Sequence, residues 1–197
     1  MKLRIIAALV ATIFGQPGTA VAADIFVGGM RWTGIPAIWI RGQIVPGDER
    51  TFAVVAAKRR ASVVYLSSEG GEVDAAIAIG RMVRKLGLDT FVGRGSTGCW
   101  SACTLIWLSG RHAIIQRDSY LGFHAANVPE GTAMMVEYLA ELGLTPAQIN
   151  YMIRTPQPDI QLAMEWHARA LGFHWQEVPS LFGGWQSCES KYCLAKP

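Results

Sequence analysis

Apolar and polar positions along this chain follow two rhythms, and the switches between them mark its elements. Residues 36–44 read as a strand, and Pro46-Gly47-Asp48 ahead of the apolar-periodic stretch 49–60 supplies proline and aspartate as helix-start signals. Residues 62–66 form a short, almost wholly apolar run, the pattern of a strand covered on both faces. From 73 to 86, Val73, Ala76, Ile77, Ile79, Gly80 and Val83 recur at helical spacing, Arg81, Arg84 and Lys85 fall elsewhere on the wheel, and Gly87 ends the run. Residues 89–92 predict a third strand, 93–100 a glycine-rich loop, 101–108 an apolar helix with Ser101 in its first turn, and 113–115 and 120–123 two further short strands. Strand and helix thus alternate through the first half, which predicts an α/β domain with a largely parallel sheet. The remainder reads as helical at 132–142, from Thr145-Pro146 onward and at 160–171 before Gly172; the tail beyond has no clear period.

The amino terminus carries Lys2 and Arg4, an apolar stretch over 5–14, then Gln16-Pro17-Gly18 and Ala20-Val21-Ala22-Ala23. This is the layout of a secretory signal peptide, and its apolar stretch is far short of the roughly 20 residues a membrane-spanning helix needs. It predicts a leader over 1–23 cleaved after Ala22 or Ala23, one domain over 24–197, and a periplasmic or secreted protein with no membrane span once the leader is gone. Loss of the leader removes two cations, so the formal charge of +3 falls to +1 and no nucleic-acid footprint remains. Cys99, Cys103, Cys188 and Cys193 are an even set in an exported chain, which predicts one or two disulfides. Three pairings exist, and closeness in sequence favours Cys99 with Cys103 and Cys188 with Cys193. Neither pair has CxxC spacing and no histidine lies near, so no metal is expected.

Candidate chemistry centres on Gly98-Cys99-Trp100-Ser101-Ala102-Cys103, with His124 following 23 residues after the serine. A serine hydroxyl attacks a carbonyl only when an imidazole takes its proton and N–H groups receive the oxyanion. Ser101 and His124 supply the first two parts. The third is expected from Ala102 N–H with Gly70 or Gly71, in a turn after a strand. Taken alone, Ser101 reads more readily as a helix N-cap than as a nucleophile, and only its joint appearance with His124 and the paired glycines shifts that reading. His112, His167 and His174 lack comparable neighbours and read as surface or packing residues. Gly93, Gly95 and Gly98, with Asp118 about 20 residues on, match a dinucleotide-binding pattern, but they follow the third strand and not the opening one.

These motifs, over residues 38–172, resemble the Clp-protease/crotonase superfamily, and most closely its small exported ClpP-like serine peptidases of bacteria. Arg41-Gly42-Gln43-Ile44 is similar to the family's Gly-x-Ile turn, Ser68-Glu69-Gly70-Gly71 to its Ser-Pro-Gly-Gly turn, Ser101-Ala102 to its nucleophile pair, and His124 to its base. The resemblance implies a spiral of βαβ units with a helical C-terminal part, and a Ser-His-Asp peptidase acting on peptide or protein substrates without a cofactor. It also implies a homo-oligomer, since relatives form rings or trimers. The third triad member would be Asp159, thirteen residues before Gly172, although the local sequence suits a helix N-cap equally. Glu69 in place of proline and the cysteines flanking Ser101 depart from the family pattern. Two other functions fit the fold: a catalytically silent binding or scaffold protein, and acyl-CoA chemistry, which export disfavours.

Overall fold

The computed structural model describes residues 21–29, 35–58, 61–93, 96–116, 119–163 and 176–178. Strands β1 (Asp24–Gly29), β2 (Pro36–Arg41), β3 (Val63–Ser67), β4 (Asp89–Val92), β6 (Ala113–Gln116) and β9 (Gln176–Val178) make one sheet in the order β1-β2-β3-β4-β6-β9. A smaller sheet has the order β5-β7-β8, from Cys99–Trp100, Leu121–Phe123 and Gln161–Leu162. Helices α1 (Asp48–Ala56), α2 (Val73–Leu86) and α3 (Cys103–Leu108) follow β2, β3 and β5, and α4 (Pro129–Glu141) and α5 (Pro146–Ile153) lie between β7 and β8.

The parallel pairs β2–β3, β3–β4 and β4–β6 are joined by helical crossovers, as the alternating pattern requires. Every residue of β3 except the terminal Ser67 is buried, because helices cover one face and aromatic side chains the other. On the helix side Ile38, Ile40, Val64, Leu66 and Val92 pack with Phe52, Ile79, Val83, Leu105, Ile106 and Trp107. Each such large side chain contributes roughly 1.5–3 kcal/mol by leaving water. On the other side Tyr65, Phe91, Ala37, Val63 and Ile114 pack with the half-buried Trp39, whose ring stacks on Tyr65 at 4.0 Å. Helix α2 buries the predicted stripe apart from the half-buried Val73 and exposes Arg81, Arg84 and Lys85. Helix α5 opens on the predicted Thr145-Pro146, where Thr145 and Gln148 cap each other reciprocally.

Several expectations are corrected. Residues 24–29 form an antiparallel edge strand that no period announced, because β1 contains Gly28 and Gly29 and leaves most of its side chains half-exposed. Cys99 and Trp100 form a strand within the expected loop. The helix expected at 101–108 begins at Cys103 with Ala102 as its N-cap residue, so Ser101 lies outside it. The helix expected at 160–171 does not begin there: Gln161 and Leu162 pair antiparallel with β7, a two-residue strand too short to show any period. His112 has a partner, Asp89, at 2.8 Å. Residues 1–20, 164–175 and 179–197, with Cys188, Cys193, His167 and His174, lie outside the described residues, as do Gly95 and Asp118. Among the described residues no helix is long and apolar enough to cross a membrane.

Candidate active site

Three carboxyl ends of strands are stitched side by side. Ser68, just past β3, donates its N–H to Gly98 O at 3.0 Å and receives Trp100 N–H at 2.9 Å. On the other side of β5, Cys99 N–H reaches Tyr120 O at 2.9 Å and Ser101 N–H reaches Gly122 O at 2.8 Å. Neighbouring strands lie about 4.8 Å apart. With Cys99 opposite Leu121 and Trp100 opposite Gly122, the next residue, Ser101, stands beside Phe123, and His124 is one residue further on.

Ser101 has φ +52°, a region that costs a non-glycine residue about 1–2 kcal/mol, and the surroundings hold it there. Its carbonyl receives Thr104 N–H at 2.9 Å and Thr104 Oγ1–H at 2.6 Å. A disulfide joins Cys99 to Cys103 across it, the pairing expected for these two cysteines. The strained turn lifts the half-buried side chain out of strand and helix alike, and its hydroxyl makes no hydrogen bond among the described residues.

The glycine turn presses against this serine. A Cβ on Gly70 (φ +92°) would lie 2.7 Å from Ser101 Cβ and 2.6 Å from Trp100 O, so only glycine lets the two backbones approach. Gly70 N–H donates to the buried Ser68 hydroxyl at 3.0 Å, which removes it from the expected oxyanion donors. Gly71 (φ +138°) has its backbone against Ile44 O. Its N–H, like that of Ala102, makes no hydrogen bond among the described residues. Of the three glycine and alanine groups expected to frame an oxyanion, Gly71 and Ala102 therefore have donors to give, and Gly70 supplies the close approach. Glu69 is exposed.

His124 is 7 % exposed. Along β7, Leu121 and Phe123 enter the core, so by alternation Gly122 and His124 share the opposite face. Burial pushes the imidazole pKa below its ordinary value, partly offset by the Ala125 backbone, so at neutral pH the ring is the free base. Its Nδ1 is buried and has no hydrogen-bond partner among the described residues. The expected partner, Asp159, is exposed and makes no hydrogen bond to the ring, although its loop runs alongside, with Ala125 N–H held by Thr155 O at 2.8 Å. Nor does Asp159 cap a helix, since β8 follows it. Ser101 and Ala102 thus lie against Gly70 and beside the end of β7, which His124 follows, and Asp159 makes no hydrogen bond to the imidazole.

Sequence reasoning missed Ser68, which orients the glycine turn, and the apolar side chains on the open face of the small sheet. Trp100 lies over Gly122, where a Cβ would come within 2.7 Å of the indole and 2.8 Å of Ile160 Cδ1. The indole donates to Thr97 O at 2.6 Å and stacks on Tyr120 with 6.3 Å between centroids. Tyr120, Gly122 and His124 at spacing two were the available signal. Among the described residues no three His, Cys, Asp or Glu side chains gather to hold a metal ion.

Comparison with solved structures gives the architecture a name. A mutant ClpP1 from Listeria monocytogenes superposes with TM-score 0.53 at 17 % identity, over 69 % of this chain and 86 % of that one. The fold is of the ClpP type. A solved structure described only as an enzyme gives TM-score 0.55 at 10 % identity, over 72 % of this chain and 94 % of the other. No protein-family model matches the chain, and no curated protein matches it.

Proposed function

We propose that this ClpP-type chain is an exported serine hydrolase, a peptidase, with Ser101 as nucleophile and His124 as base. The observation that carries this is a serine at positive φ, pressed against the glycine turn and hydrogen-bonded through its N–H to the strand that leads into a buried free-base imidazole. In the proposed reaction Ser101 Oγ attacks a peptide carbonyl while His124 Nε2 takes the hydroxyl proton. The oxyanion accepts from Gly71 and Ala102 N–H. Collapse breaks the C–N bond, the amine leaves with the imidazolium proton, and water then releases the acyl group by the reverse path. The apolar face formed by Trp100, Tyr120, Ile160 and Leu162 beside His124 suits large apolar side chains of an extended substrate. Neither metal nor organic cofactor enters this scheme.

A second reading, a peptide-binding protein without turnover, is favoured by one observation: among the described residues Nδ1 of His124 has no carboxylate to orient the ring. A fluorophosphonate probe separates the two. Labelling of the wild type with none of Ser101→Ala supports the hydrolase; equal labelling, or none of either, supports the binding protein.

A further inference from the structure

Asp48 is a buried carboxylate that the proposed chemistry does not use. It opens α1, is 3 % exposed, and receives Val45 N–H at 2.9 Å and Ala23 N–H at 3.3 Å. No side-chain cation pairs with it among the described residues; Arg50, the cation of α1, reaches Glu49 at 3.9 Å. The partial charge of a helix N-terminus favours an acid here, yet a buried carboxylate calls for a full counter-charge. The 3.3 Å contact from Ala23 is also long for an amide and a carboxylate. Ala23 itself is buried, whereas Ala22 before it is exposed and Val21, two residues before it, is 81 % exposed.

We propose that hydrolysis of the Ala22–Ala23 bond makes Ala23 the amino terminus, and that its α-ammonium then forms a buried ion pair with Asp48 that locks β1 to α1. The bond broken is the C–N bond between the Ala22 carbonyl and Ala23: the oxygen of water stays on the Ala22 carbonyl, and both protons of that water end on the Ala23 nitrogen. The departing leader keeps a carboxylate and the mature chain gains an ammonium, which is charged below about pH 8. An ammonium offers three donors and a full charge where the amide offered one donor, and such charged contacts close to about 2.7–2.9 Å. The pattern Ala20-Val21-Ala22 suits a leader peptidase that reads small residues. Of the two cuts compatible with the sequence, only this one places the new charge on Asp48. A cut after Ala23 would discard a buried alanine and start the chain at the exposed Asp24. The inference rests on the leader reading and is independent of the hydrolase reading.

The test begins with N-terminal sequencing and intact mass of the protein exported from the full-length gene, expected to start at Ala23. Thermal melts then compare the processed chain with the unprocessed full chain, each with Asp48 or Asp48→Asn. Asp48→Asn is expected to lower the processed Tm by about 5 °C more than the unprocessed one. A mature chain starting elsewhere, or equal shifts in both forms, overturns the proposal. If Asp48→Asn does not fold, a processed chain with one extra glycine ahead of Ala23 displaces the ammonium and should melt lower by a similar margin; an unchanged Tm overturns the proposal equally. Fluorophosphonate labelling of Ser101 in the same samples reports on the hydrolase reading separately.

Discussion

Two histidines stand at opposite ends of the parallel strands, and their surroundings differ in kind. His112, just before β6, places Nδ1 2.8 Å from the buried Asp89, whose oxygens also take Arg111 Nε and Nη2 at 3.2 Å each. The backbone there is closed too, with Thr90 N–H on His112 O and Arg111 N–H on Leu88 O. At the carboxyl ends, His124 Nδ1, Ser101 Oγ and the N–H groups of Gly71 and Ala102 have no partners among the described residues, and Ser101 and both glycines sit at positive φ. A buried polar group without a partner costs about 1–3 kcal/mol. The histidine–aspartate pair thus marks a joint between strands, whereas the open end keeps its hydrogen-bonding capacity for something that arrives.

The comparison breaks most sharply under a pair of substitutions with opposite effects. Ser101→Gly removes the proposed nucleophile and relieves the φ +52° strain, so fluorophosphonate labelling should vanish while stability to urea rises by about 1 kcal/mol. Asp89→Asn weakens the closed end, so stability should fall by about 2–3 kcal/mol while the folded fraction labels at the wild-type rate. A loss of both labelling and stability in each variant would mean that the two ends are not separable.

His124 sharpens the same contrast through pH. His124→Gln should slow labelling by about a hundredfold or more. Wild-type labelling follows the free base, and because burial lowers the His124 pKa, the rate should halve at a pH below 6.5. The sign for stability is the same: the unfolded chain binds a proton that the folded chain resists, so stability is full above about pH 6.5 and lost as pH falls through the folded pKa. A pH–stability curve that keeps its slope in His124→Gln would assign that slope to other groups.

The disulfide lies on the open side of the comparison. Cys99 and Cys103 enclose a short loop, for which chain entropy predicts about 2 kcal/mol of stabilisation. The bridge also fixes the strand and helix ends that hold Ser101. The Cys99→Ala/Cys103→Ala protein should therefore label about tenfold more slowly while losing only a few degrees of Tm. Unchanged labelling would leave Thr104 and the Gly122 carbonyl as sufficient supports.

Much of this was legible from residues, for reasons that differ by region. The buried strand at 63–67 and helix α2 announce themselves because their whole length obeys one period. Ser101, His124 and the glycine turn stood out as candidates by residue type, because the proposed chemistry permits few alternatives. What failed were short or long-range features. β5 and β8 are two residues each, and pairing alone defines them. Asp159 has the right spacing from Gly172 but the loop leaves its carboxylate in solvent, and the aspartate with a histidine partner is Asp89, 23 residues from His112 in sequence. The choice between Gly70 and Gly71 turned on Ser68, whose hydroxyl occupies one N–H of two that look identical in sequence.

The smallest expected effect lies on the open face beside His124. The Tyr120 side chain is exposed, 56 % for the residue, and meets the candidate chemistry through the Trp100 ring, which is fixed by the Thr97 carbonyl and by the absence of a Cβ on Gly122. Removing Tyr120 takes away one ring and leaves the serine turn standing. An aromatic pair adds about 0.5–1.5 kcal/mol beyond its buried area, which corresponds to a factor of about two to ten in selectivity. Tyr120→Ala should therefore reduce the preference for peptidyl phosphonates bearing Phe over those bearing Lys by that factor, with simple fluorophosphonate labelling and Tm unchanged. A preference that persists would move substrate selection to Ile160 and Leu162. A loss of all labelling would instead show that the stacked rings position Ser101 itself, and the open end would then depend on its surface as much as the closed end depends on Asp89.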